Sequence, residues 1–271
     1  MNTAVFPRFI FYASLLLVVL LAISSIAGFF YPAYLYARET NYWLIQCEGQ
    51  DAINLVFLLP SLLITTILVY QGSRRFLPLW AGAVAYTLYT FIIYSFSVHF
   101  NALFFIYCIM LGVSFRLLFW YTLYITRQSV ADWFKNKPVV RFLGYYFILL
   151  GTAFYGLWIM QLLPAILGRT VPAVVLDSGL PTNPVHVLDI SVCLPFIILT
   201  GIRLLQRKSW ALLCTPAVLL FLTLMSLTIA GLILFMQYKG QPGQWPVVIV
   251  MASLAVFNLW QLNGYLRSMQ H

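Results

Sequence analysis

Long apolar runs, broken at intervals by glycine, proline and charged clusters, set the pattern of this chain. Eight such runs stand out, roughly at residues 9–30, 52–70, 77–96, 102–124, 142–167, 185–205, 210–236 and 245–266. At 1.5 Å of rise per residue, each is long enough to cross a hydrocarbon layer about 30 Å thick. Hydrocarbon offers the backbone no hydrogen-bond partner, so crossing segments of this kind must be helical. The pattern therefore predicts an all-α polytopic membrane helix bundle of about eight transmembrane helices, a single integral membrane domain over residues 1–271. The first run follows Arg8 and ends near Ser24, Ser25 and Ala27, which resembles a cleaved signal segment. Its apolar stretch exceeds the 7–15 residues of a signal core, so it is expected to remain as the first helix.

Composition narrows the class further. Of 271 residues, 63% are hydrophobic and only 8% charged, against about 25% charged in soluble domains. That excludes a water-soluble enzyme and a disordered chain. Fifteen Lys and Arg against six Asp and Glu give a formal charge of +9. In a soluble protein this would suggest nucleic acid, but no dense basic run interleaved with aromatics exists, and no nucleic-acid partner is expected.

The basic residues instead report topology. Arg8, Arg74, Arg75, Arg127, Lys135, Lys137, Arg141, Arg207, Lys208 and Arg267 all fall on one side of the alternating spans, and only Arg38, Arg169 and Lys239 on the other. The rich side is expected in the cytoplasm, with the N- and C-termini there, in a cell membrane. Arg116 and Arg203, near the cytoplasmic ends of their spans, read as anchors whose stems carry the charge to the interface. Acidic residues show the reverse skew: Glu39, Glu48, Asp51, Asp177 and Asp189 lie outward, and Asp132 alone inward.

A shift of 135 positions lays Leu59-Pro60 on Leu194-Pro195, Thr65 on Thr200, Ile67 on Ile202 and Gln71 on Gln206. Read as duplication, it gives two four-helix repeats of parallel orientation, halves 1–124 and 142–271, related by an axis along the membrane normal. The same shift places Asp51 on His186 and Asn54 on Asp189. Members of each pair are three residues apart and share a helix face, so two equivalent polar faces are expected to oppose each other across the axis.

Candidate chemistry gathers near the outer ends of the spans. In Asn183-Pro184-Val185-His186-Val187-Leu188-Asp189, Asn183 suits an N-cap and Pro184 the first turn. Asp189 then lies about one and a half turns inside the membrane, where an ionisable group is costly and points to function. Asp51, after Gly49-Gln50, suits a helix cap, and Asn54 lies one turn deeper. His99, in an outer turn closed by Asn101, falls at similar depth. Asp51, Asn54, His99, His186 and Asp189 thus form the candidate substrate- or ion-binding set.

No metal is expected. Only two of the three His are available, His271 being terminal, and neither HExxH nor CxxC spacing occurs. The four Cys are scattered, no helix carries a central Lys for a Schiff base, and no nucleotide loop or nucleophile elbow is present, so no cofactor is expected. Pro60 and Pro195 predict kinks. Ala81-Gly82-Ala83 with Ala85 predicts a face for close helix contact. Tyr86, Tyr89 and Tyr94 add hydroxyls beside it, while Trp43, Trp120, Trp133, Trp210 and Trp245 read as interfacial belt residues.

The segments Gly49-Gln50-Asp51, Leu79-Trp80-Ala81-Gly82, Phe100-Asn101-Ala102-Leu103-Phe104 and Asn183 to Asp189 resemble a family of uncharacterised bacterial multi-pass membrane proteins. The resemblance covers most of the chain and implies no activity or substrate. From the residues themselves, the first expectation is a small carrier or permease whose outward-facing site binds a cation, proton or polar solute. A membrane-embedded enzyme acting on a lipid or isoprenoid, with His186 as base and Asp189 orienting it, is the second. A sensor or assembly subunit without turnover is the third. The lipid bilayer is the one partner implied in every case.

The charge rule makes a direct prediction about sidedness. A reporter enzyme that folds only outside the cytoplasm is active when joined after Pro181 and inactive when joined after Arg207; the reverse pattern would invert the orientation.

Overall fold

The computed structural model describes residues 6–129, 133–135 and 140–270; Asp132, Lys137 and His271 lie outside the described residues. Eight helices are long and apolar enough to cross a membrane. We label them α1 (Arg8–Phe30), α2 (Asn41–Tyr70), α3 (Leu77–Ser97), α4 (Phe104–Ile125), α5 (Val140–Leu167), α6 (Pro184–Leu205), α7 (Ser209–Tyr238) and α8 (Trp245–Arg267). The described residues contain no strand, only an isolated bridge between Phe134 and Met269.

Seven of the helices start within a few residues of the apolar runs, and α2 is the exception. It begins at Asn41, with the Thr40 hydroxyl accepting from the Trp43 N–H. The polar stretch from Gln46 to Gln50 hid this first part, because it is covered by protein and not by lipid. Asp51 is therefore about three turns inside α2 and caps nothing.

The most buried span is α3, with 72% of its apolar window covered, and the least is α5, with 11%. Around α3 pack α2, α4 and α7; α1 lies against α2 and α4, α5 against α6, and α8 against α7. One end of the bundle collects the beginning of α1, the linker segment 133–135 and the C-terminal residues. There Phe6 packs edge-on against Trp80 and Trp120, and Lys135 N–H donates to Ser268 O. At the opposite end Thr40 donates to the Asp177 carbonyl, and the Lys239 ammonium meets Glu48 at 2.6 Å.

Two π-helical turns interrupt the spans, at Asn54–Leu58 in α2 and Asp189–Cys193 in α6. Each directly precedes a Leu-Pro pair. The Leu59 N–H reaches back to Asn54 O and the Leu194 N–H to Asp189 O, five residues each. Proline has no N–H and its ring presses on the carbonyl four residues earlier; a widened turn makes room for it. From Asn54 to Asp189 is 135 positions, the same shift that aligns the sequence.

The contact between α3 and α7 follows that shift too. A Cβ on Gly82 would stand 2.6 Å from the carbonyl oxygen of Ala217, 135 positions later. The rings of Tyr86 and Phe221, again 135 apart, meet edge to face at 5.8 Å. Contacts in this register place α3 and α7 side by side, running the same way. The Ala81-Gly82-Ala83 face thus carries the close approach the sequence suggested.

Many polar side chains within the spans are held internally, although Ser95 Oγ, the Tyr107 hydroxyl and Asn258 Nδ2 have no partner among the described residues. Hydroxyls of Ser14, Thr66, Thr87, Ser114, Thr215 and Thr223 bond the carbonyl four residues back, a local solution available where water is absent. The fully buried Trp80 donates its indole N–H to Ser14 Oγ at 3.0 Å. Two of the five belt tryptophans depart from expectation. Trp43 and Trp133 are buried, Trp43 because its indole donates to the Ser97 carbonyl at 3.1 Å and so closes α2 against the end of α3.

Gly82→Val is expected to destabilise the protein by about 1–3 kcal/mol through overpacking against the α7 backbone. Gly112→Ala, where a Cβ meets nothing within 4 Å, should be neutral. Thermal melting in detergent, read side by side for the two variants, checks both.

Candidate functional site

The five candidate residues do not form one cluster. Asp51 and Asn54 turn toward α1, and His186 and Asp189 toward α5, so that the two carboxylates are served by different neighbours.

In the first half, Asp51 is fully buried and accepts a 2.5 Å hydrogen bond at Oδ2 from the Tyr36 hydroxyl. Burial raises the Tyr36 phenol well above the ordinary tyrosine range, with the neighbouring Tyr94 and Asp51 adding to the shift. The phenol therefore keeps its proton and remains a donor. Room for the carboxylate comes from Gly28 on α1, where a Cβ would fall 1.8 Å from Asp51 Oδ2. Asn54, also fully buried, donates from Nδ2 to Ser25 Oγ at 3.2 Å and accepts from Gln50 Nε2 at 2.9 Å. Tyr94 packs edge-on against Tyr107 and donates to the Cys47 carbonyl. This region is closed; several of its groups bond to each other, while Asp51 Oδ1 and the Tyr107 hydroxyl have no partner among the described residues.

In the second half, Asn183 caps α6 as its sequence suggests, its side-chain oxygen accepting from the N–H groups of Val185 and His186. His186 and Asp189 share a face, but they do not bond. The imidazole lies 4.5 Å from the indole ring of Trp158 on α5, and that same indole donates to Asp189 Oδ2 at 3.1 Å. Tyr89 on α3 donates to the other carboxylate oxygen at 3.2 Å. Among the described residues, Asp189 has no salt-bridge partner.

His99 stands apart from both places. It is exposed, and it pairs with Glu39 through its ring nitrogen at 2.8 Å and through its backbone N–H at 2.6 Å. It fastens the turn before α4 to the segment ahead of α2.

Asp189 opens onto a central cavity of about 230 Å³. Segments of α2, α3, α5, α6, α7 and α8 line it, and most of its wall is hydrocarbon and aromatic. Tyr86, Tyr89, Phe154, Trp158 and Phe221 supply rings, and Gln46, Gln50 and Thr228 supply further polar atoms. The Tyr86 hydroxyl is held by Thr228 at 2.5 Å. Asp51 does not line the cavity, although its neighbours Cys47 and Gln50 do. No group of three or more His, Cys, Asp or Glu that could hold a metal occurs among the described residues.

Three partners escaped the sequence reading. Trp158 carried a signal, since it lies mid-span where a belt role does not apply. Tyr36 lies in a short outer segment without any pattern, and Gly28 at the end of α1 reads as one small residue among several. Compared with protein-family models, curated proteins and solved structures, the chain matches none.

Tyr36→Phe removes the donor on Asp51 and is expected to cost about 1–3 kcal/mol as an unsatisfied buried group. Gly28→Val, which pushes the carboxylate out of its place, should cost more. Melting temperatures in the order native, Tyr36→Phe, Gly28→Val check the closed character of this region.

Proposed function

We propose that the chain is a small membrane carrier, or permease, whose central cavity takes an organic cation against the Asp189 carboxylate. One observation carries this reading: a carboxylate on the wall of an aromatic cavity, held by two neutral donors, Tyr89 and Trp158, with no cationic side chain among the described residues to pair it. A carboxylate away from water is costly unless paired. A cationic solute supplies the missing charge, and ring faces add about 2 kcal/mol of cation–π attraction when the site is desolvated. Tyr89 and Trp158 fix the two carboxylate oxygens in advance, so the solute meets an ordered acceptor.

The cavity lies toward the end of the bundle that the charge rule puts outside, with both termini in the cytoplasm. Residues Asp51 and Asn54 have a different part in this scheme, bracing α2 against α1 beside the cavity. An enzyme using His186 as base and Asp189 as its orienter needs those two in contact. Instead the Trp158 indole packs on His186 and donates to Asp189, which favours binding over catalysis.

Tetraethylammonium, permanently charged, is a suitable probe in proteoliposomes. Saturable uptake is expected, reduced roughly 30-fold or more in Asp189→Asn, the scale for losing one partner of a desolvated charge pair. Tyr36→Phe should retain most of it. Uptake no greater than in empty vesicles, or equal in Asp189→Asn at matched protein level, would refute the proposal.

A further inference from the structure

A second apolar recess, of about 290 Å³, lies beside the central cavity. Its floor is made by Ala81 and Ala85 of α3 with Cys214, Ala217 and Val218 of α7. Leu118, Tyr121 and Thr122 of α4 form one side, and Leu188, Val192 and Phe196 of α6 the other. Helices α4 and α6 do not pack against one another, and the recess is the gap between them. Val192 and Phe196 are 59% and 45% exposed at its mouth, while Ala81 and Val218 are 1% and 5% exposed at its base. It is thus a cleft that cuts inward from the lipid-facing surface, lined almost wholly by carbon, at a depth where the surrounding medium is hydrocarbon.

Its inner wall is shared. Tyr89, Cys193, Ile197 and Phe221 line both the cleft and the central cavity. One of them, Tyr89, donates to Asp189, and another, Cys193, closes the π turn that Asp189 begins.

We infer that this cleft is a lipid site, which seats one acyl chain of a bilayer phospholipid against the wall carrying Tyr89 and Cys193. Water gains nothing there, since a stable water needs two or more polar partners and the lining supplies almost none. A vacant cleft would leave its lining without contact atoms on one side. The chains of the bilayer reach its mouth and have the chemistry of its surface. Three alanines on the floor give the depth, because any larger side chain at those positions would fill it. Seated there, the chain backs the wall from which Tyr89 holds Asp189, so lipid packing bears on the central cavity without entering it. The site does not depend on what the cavity binds.

The probe is a phosphatidylcholine with a photoactivatable diazirine midway along one acyl chain, reconstituted with the protein in nanodiscs and read by peptide mass spectrometry. Adducts are expected on Cys214, Val218 and Tyr121, which only a chain inside the cleft can reach. They should fall at least about fivefold in Ala85→Phe, which fills the floor, and in Val192→Trp, which covers the mouth from an exposed position and leaves the packing alone. Labelling of the outward residues Phe115 and Phe119 on α4 should stay constant in all three proteins. Adducts confined to outward residues would overturn the inference, as would floor adducts unchanged in Val192→Trp.

Discussion

A polar group placed within hydrocarbon has to find its hydrogen-bond partner inside the protein, and this one requirement organises the bundle. Serines and threonines solve it locally, against the carbonyl one turn back. Larger polar groups recruit a second helix: Trp80 uses Ser14 on α1, Tyr121 and Tyr265 use the carbonyls of Leu213 and Leu212 on α7. The carboxylates recruit phenols and an indole. The backbone follows the same rule at Pro60 and Pro195, where the missing N–H is absorbed by a wider turn.

The stretches around Asp51 and Asp189 resemble each other in backbone and differ in how they are filled. Both carry a π turn, and one turns its polar pair toward α1, the other toward α5. In the first stretch α1 presents Gly28 and Ser25, and the segment after it adds Tyr36, so the space closes over Asp51. In the second stretch α5 presents Trp158, whose indole packs on His186 and donates to Asp189. A cavity remains beside Asp189.

Much of the architecture could be read directly from hydropathy, because hydrocarbon imposes a length and a helical backbone on anything that crosses it. Seven helix starts fell within a few residues of the apolar runs, and the Asn183 cap and the Gly82 contact followed from residue type. The start of α2 did not, since Gln46, Glu48 and Gln50 lower the local hydropathy and only tertiary burial explains their helical state. The buried Trp43 and Trp133 escaped for a related reason: composition places an amphipathic ring at an interface, and a protein neighbour can take the place of the headgroup. Side-chain partners across helices were the least legible. That Asp51 and Asn54 share a face was clear from their spacing; that the face looks to α1, and not across the bundle, depends on the packing of helices far apart in sequence.

The widened turn in α6 also sets a rotational offset. One additional residue in a turn rotates everything before it by about 100° relative to an unbroken α-helix. His186 and Val185 therefore hold their present directions only while that extra residue stays between Asp189 and Cys193. Were the surplus to migrate toward Pro184, each side chain it passed would swing to a new azimuth with little change in helix length. The outer end of α6 is in this respect a screw thread with one loose pitch, lying beside the carboxylate.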